Sequence, residues 1–394
     1  MFLKNYRHLS ADNLLIFFDQ VVASLSTFSY VFIATKILSL EDVGIVTLLI
    51  TLIVLSYVIF QSSFINFIYL IEFKQRVNFS FVKRLFSYIF AYGLLFSLLA
   101  FIFLYFFLND SISNILYYIF FIFIHIITDS FRRFSHSIHA HALPALLSSL
   151  IFFTKLLSFF FFEIVDLKNY LLILSIPNTI IFFYLFLFSR FSLSDHYSPH
   201  VFLTKDFYFG ILTGILNWTS SMSPIFIIYA IYGSKLSAIV FAIKSLANLF
   251  NPINELLDTF GNKFLVNYIF FLHKYRLTFL FIILLCIMLL LFPLFLIKDS
   301  LILFLYDVHF SNFSYLIPLF FAVFLFSFFA KFLSILVRFK FNTIKYDFYV
   351  AAISLLMLIP FLYFSFPFHI FIFSFLIVPL SSFLYKFFIF SSFR

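Results

Sequence analysis

The chain has 394 residues, of which 64% are hydrophobic and only 10% charged, with a mean hydropathy of +1.14, a balance that excludes a soluble globular protein. A formal charge of +9 would point to nucleic acid in a soluble protein, but here the basic residues stand in short segments between apolar runs, so no nucleic-acid partner is expected. The single cysteine, Cys286, lies inside an apolar run and provides neither a disulfide nor a thiolate metal site, and the 73 phenylalanines read as lipid-facing filling.

Apolar runs long enough to cross a bilayer, about 20 residues each, fall at 14–38, 45–72, 85–108, 115–135, 144–163, 169–189, 207–232, 236–262, 277–297, 313–338, 346–365 and 368–388. They predict an all-α polytopic membrane protein with twelve spans. Residues 1–10 are short and basic, but Asp19 and Gln20 interrupt the run that follows, so the first helix is expected to stay rather than be cleaved as a signal peptide. With a cytoplasmic N-terminus, four of the 25 Lys and Arg residues (Lys36, Lys168, Lys235, Lys298) fall on the outer side and three (Lys155, Lys244, Lys331) within spans. The remaining eighteen are cytoplasmic, which predicts a multi-pass protein of the cytoplasmic (inner) membrane with both termini inside.

Between the first two spans, Leu38 to Gly44 form a tight polar turn in which Glu41 and Asp42 suit the start of the next helix. The stretch Ala34 to Leu49 resembles the first-to-second helix junction of polysaccharide-repeat flippases of the O-antigen and capsule type. These belong to the MOP superfamily, which also holds the multidrug MATE exporters. The resemblance is carried by Ala34, Lys36, Glu41, Asp42 and Gly44. A shift of 194 residues lays Gly44 over Ala238 and Leu52 over Leu246, so the second half opens on a similar junction. Lys244 stands where the family often carries a basic residue after that turn, whereas Pro224 and Ile225 replace an Asp-Arg pair common in the family. The resemblance implies a carrier that moves a lipid-diphosphate-linked oligosaccharide to the outer leaflet, with membrane lipids and the polysaccharide polymerase of the same pathway as further partners and no cofactor.

The fourth and tenth spans carry related polar stripes. His125, Asp129, Arg132, His136 and His139 recur at helical spacing, and a shift of 202 superposes Asp129 on Lys331 and His136 on Arg338. Two lobes of six helices are therefore expected, residues 1–190 and 207–394, joined by a Ser-containing cytoplasmic linker at 191–206. His136, His139 and His141 lack a carboxylate or cysteine at convincing spacing, so no metal site is expected. Lys155 lies about 18 Å of helical rise from the cytoplasmic end of the fifth span, too deep for easy snorkelling, and is read as a functional cation.

From Val240 to Asn262 an apolar segment carries Lys244, Asn248, Asn251, Glu255, Asp258 and Asn262 on one predicted helical stripe, which must face a bundle interior or a watery cavity. Cations for a diphosphate are expected from Lys244, Lys155 and Lys331, and hydrogen bonds to sugars from Asn248, Asn251, Asn217 and Ser220. Asp19, Asp129 and Glu255 are the candidate proton or sodium sites. Neither an Asp-x-Asp pair, a Gly-rich phosphate loop, a nucleophile motif nor a long outer loop is present, so an enzyme is not expected. The alternatives are a cation-coupled exporter of small amphiphiles and a membrane-embedded polysaccharide polymerase or ligase.

Overall fold

The structure is a computed structural model that describes residues 11–61, 79–137, 142–164, 166–189, 205–254, 274–306, 308–338 and 367–392, with residues 257, 352 and 356. It is all-α, as expected. The helices are α1 (Ala11–Ile37), α2 (Leu40–Phe60), α3 (Phe79–Leu108), α4 (Ile112–Ser137), α5 (Ala142–Phe161), α6 (Leu167–Ser189), α7 (Lys205–Ile227), α8 (Ser234–Asn248), α9 (Arg276–Leu305), α10 (Leu316–Arg338) and α11 (Ser374–Ser392). Nine helices among the described residues are long and apolar enough to cross a membrane. In hydrocarbon a backbone must satisfy its polar groups within the segment, which for these runs leaves the helix as the available form. Of the other expected spans, 207–232 is helical as α7 with its π-helical end Ile228–Tyr232, 236–262 begins as α8, and 346–365 lies almost wholly outside the described residues.

Short polar caps set the helix starts. At α2 the Ser39 hydroxyl accepts from the Asp42 amide at 3.2 Å and donates to the Asp42 carboxylate at 2.9 Å, a reciprocal cap. At α4, Asp110 accepts from the Ser111 amide, the Asn114 side chain and the Tyr118 hydroxyl, and at α6 Asp166 accepts from the Asn169 amide. Gly233, with φ of 92°, makes the turn from α7 into α8 in a backbone region that a side chain would strain.

The 236–262 segment is not one straight helix. α8 ends at Asn248, and Leu249 and Phe250 continue in tighter i→i−3 turns to Leu246 and Ala247. Pro252 explains the stop, because it has no N–H and its ring would meet the Asn248 carbonyl four residues earlier. Lys244 and Asn248 therefore share a helical register, the stripe is broken before Asn251, and Glu255 and Asp258 lie outside the described residues.

The chain divides into two compact units, residues 1–26 with 48–215 and residues 27–47 with 216–394. In the first unit α4 packs on α3, α5 and α6 around Phe86, Ile89, Ile127, Phe131, Phe134 and Ile151. In the second, α10 packs on α8, α9 and α11 around Ile283, Ile287, Leu325, Leu333 and Phe383. A shift of 202 carries all of α10 inside the limits of α4, so the central helix of each unit occupies the matching place in the chain.

The α1–α2 turn belongs to the second unit, where it meets the start of α8. A Cβ added at Gly44 would lie 2.6 Å from the Ser234 carbonyl oxygen and 2.7 Å from its Cβ, and Glu41 pairs with Lys235 at 2.8 Å. The two junctions singled out in the sequence thus touch each other, and the glycine is what allows the approach. Gly44→Ala is expected to cost about 1–3 kcal/mol by overpacking, read as a lower midpoint of thermal unfolding in detergent. An unchanged midpoint would mean that the contact relaxes freely.

Candidate functional site

Polar side chains collect inside both units, on helix faces that point away from the apolar surroundings. On α5 the buried positions Pro144, Ser148, Ile151, Lys155 and Ser158 repeat at helical spacing, which puts Ser148 and Lys155 on the face turned to α4. On α4 the facing residues are His125 and Arg132, both buried.

These residues form two linked clusters in the first unit. In one, Arg132 donates to the Asp19 carboxylate at 2.7 Å and to the Ser148 hydroxyl at 3.4 Å, and Ser148 in turn donates to Asp19. Asp19 is wholly inaccessible to solvent, and its charge is met by the guanidinium rather than by water. Asp129 lies 3.8 Å from the same guanidinium with its side chain 39% exposed. In the other cluster, Lys155 Nζ lies 3.3 Å from His125 Nε2, and His125 Nδ1 lies 2.8 Å from the Phe121 carbonyl oxygen. A carbonyl only accepts, so Nδ1 carries the ring proton and Nε2 of the neutral ring accepts from the lysine.

The second unit holds Lys244 on α8, 8% exposed, with Nζ 3.3 Å from Met222 Sδ and 5.2 Å from the centroid of the Phe375 ring. A thioether and a π face are both soft, electron-rich neighbours that suit a cation in a dry setting. Tyr306 donates to the Ala242 carbonyl at 2.8 Å and so holds α8 half a turn from that lysine. Lys331 is half-buried on α10, Asn248 is half-buried and Asn251 is exposed. Asn217 and Ser220 lie on α7, but their side chains, like that of His136, fall outside the described structure, and so do Glu255, His139 and His141 altogether. Among the described residues no group of three His, Cys, Asp or Glu side chains is placed to hold a metal ion.

The expected site residues are therefore distributed rather than gathered at one point: Lys155, Asp19 and Asp129 in the first unit, Lys244 and Lys331 in the second. The reading of single residues missed the partners, namely Arg132 and Ser148 for Asp19 and His125 for Lys155. A signal was present, since Ser148 and Lys155 stand two helical turns apart on α5 and His125 and Arg132 stand two turns apart on α4.

No family model and no curated protein matches the chain. Its likeness is to solved transporter structures. A MATE transporter in complex with MaD3S superposes with a TM-score of 0.59 at 11% identity over 95% of this chain and 93% of that one. An outward-facing multidrug resistance MATE family transporter of the MOP superfamily gives 0.55 at 12% over 95% and 92%. A mutant of the Vibrio cholerae MATE transporter VcmN gives 0.55 at 13% over 96% and 95%. The fold is thus that of MATE transporters across nearly the whole chain.

Proposed function

We propose that this protein is a membrane transporter, not an enzyme, that moves a lipid-diphosphate-linked oligosaccharide repeat unit from the cytoplasmic to the outer leaflet of the cytoplasmic membrane for surface polysaccharide synthesis. One observation carries the reading: each unit keeps a lysine buried on an apolar helix, Lys155 at 2% exposure and Lys244 at 8%. A buried ammonium costs several kcal/mol in an apolar interior, and a diphosphate is an anion that such cations suit. Lys331 supplies a third cation in a less buried place. Sugars find hydrogen-bonding groups in Asn248, Asn251, Asn217 and Ser220, while the lipid tail stays in the bilayer.

The deciding experiment is a leaflet-resolved assay of labelled lipid-linked oligosaccharide in proteoliposomes. Protein-dependent movement of the label supports the reading, and movement no faster than in empty liposomes overturns it. The second reading, a cation-coupled exporter of small amphiphiles, is favoured by the multidrug MATE neighbours. Competition separates the two. Anionic prenyl diphosphates should inhibit a flippase, whereas cationic amphiphiles should inhibit an exporter that selects positive charge.

Both termini and residues 191–206 belong on the cytoplasmic side in this proposal, which follows the distribution of basic residues. Reporter fusions at residue 198 and after residue 394 should be active only as cytoplasmic reporters, and periplasmic activity at either would reverse the orientation.

A further inference from the structure

At Gly44 the α1–α2 turn rests on the start of α8 through backbone rather than through interlocking side chains. Gly44 is buried, and a Cβ added there would come within 2.9 Å of three atoms of Ser234, two of them backbone. A contact of this kind has no side chain to withdraw from a pocket before it parts. Its polar component is the Glu41–Lys235 pair, exposed on both sides, and an ion pair in water contributes little. Further along α1 the contacts are aromatic: Phe28 stacks on Phe32 at 5.8 Å, and Phe32 meets the Tyr306 ring at 6.2 Å in a tilted arrangement.

The two sides of this seam differ in stiffness. α1 and α2 contain no proline and, apart from Gly44, no glycine. The turn between them is fixed by the reciprocal Ser39–Asp42 cap and by the Val43 amide donating to the Ser39 carbonyl at 3.0 Å. Residues 27–47 count with the second unit although both helices continue into the first, and in the first α1 is held at Asp19 by Arg132 and Ser148. The turn is therefore the tip of a stiff hairpin.

On the facing side, α7 carries Gly210, Gly214 and Pro224, ends in the π-helical turn Ile228–Tyr232 and reaches Ser234 through Gly233. Helices bend at prolines, at glycines and at π-turns. Gly233 is exposed, and a Cβ built on it would meet nothing within 4 Å, so the corner has room to change its angle.

We infer that the α1–α2 turn and the start of α8 form a gate on the outer side of the transporter, which parts at the Gly44–Ser234 seam during transport and closes by the same contact. The inference rests on the transporter reading and the orientation proposed above, not on the identity of the cargo. The hairpin keeps its form, and the bend falls in α7 and at Gly233. Glycine at position 44 sets how closely the gate shuts. The Glu41–Lys235 pair adds little, so Lys235→Ala leaves the gate working.

The test uses the full chain with Glu41→Cys and Lys235→Cys in a Cys286→Ser background, since the native side chains at 41 and 235 already meet at 2.8 Å and both are exposed. A short bifunctional methanethiosulfonate is reacted in detergent before reconstitution. Linked protein should lose flipping of labelled lipid-linked oligosaccharide and recover it on reduction, while a monofunctional reagent of similar size should leave flipping unchanged. Flipping by linked protein at the unlinked rate overturns the inference. So does an equal loss with the monofunctional reagent, or a loss that reduction does not reverse.

A second measurement needs no cargo. Dipolar spectroscopy between spin labels at the same two positions in proteoliposomes should show a longer distance that is enriched in Gly44→Ala, because the added Cβ has no room in the closed seam. No enrichment overturns the inference, and should Gly44→Ala not fold, the cross-link decides. The outcome is separable from that of the proposed function. Absence of flipping by wild type removes the flippase reading and leaves the distances to decide the gate, whereas flipping by linked protein removes the gate and leaves the flippase reading intact.

Discussion

Lys244→Ala should lower the rate of lipid-linked oligosaccharide flipping by more than about tenfold, equivalent to about 1.4 kcal/mol of binding, while the protein still inserts and folds. The side chain stands on α8 at 8% exposure, between Met222 Sδ and the face of Phe375. Removing it takes away charge from an apolar interior, which relieves a desolvation cost rather than creating one. A stability loss is therefore not what links the variant to transport. Lys244→Arg should retain part of the rate, because the guanidinium keeps the charge and adds a fork suited to phosphate. Lys235, nine residues earlier on the same helix, is the control. It is exposed and paired with Glu41, and an ion pair in water contributes little. Equal loss in Lys235→Ala and Lys244→Ala would show that α8 acts through packing alone.

The second large effect is on stability. Asp19→Asn should destabilise the first unit by about 3–5 kcal/mol, since it leaves the Arg132 guanidinium buried opposite a neutral amide. Both side chains are almost completely sealed from solvent, and Ser148 completes the cluster. Loss should appear as a clear fall in the thermal midpoint in detergent. Replacing the pair together, Asp19→Leu with Arg132→Met, should restore most of that fall, because an apolar pair of similar size needs no compensation. Transport by the double variant then separates two roles for Asp19. Flipping with an ordinary pH profile marks the carboxylate as a clamp joining α1, α4 and α5. Restored stability without flipping would return Asp19 to the coupling role that its place in an apolar run suggested.

The membrane class, most helix positions and the likeness between the two halves follow from the sequence by itself. Their causes are local: a run of about 20 apolar residues must satisfy its own backbone in lipid, and Ser39, Asp110 and Asp166 stand where helix starts need acceptors. The burial of Lys155 and Lys244 was also legible, because each stands far inside an apolar run.

What the tertiary structure decided concerns partners, which depend on faces from distant parts of the chain. Asp19 reads as an isolated carboxylate in the sequence and becomes one member of a three-residue cluster only when α4 and α5 bring Arg132 and Ser148 to it across 113 and 129 residues. His125 reads as one position on a stripe until α5 sets Lys155 against its Nε2. The six-residue stripe from Lys244 onward assumed an unbroken helix, whereas the turn at Leu249 and Phe250 ahead of Pro252 ends the register after Asn248. Helical spacing determines which side chains share a face, and only packing determines what each face meets. Whether a buried charge is a clamp or a binding site depends on that second step.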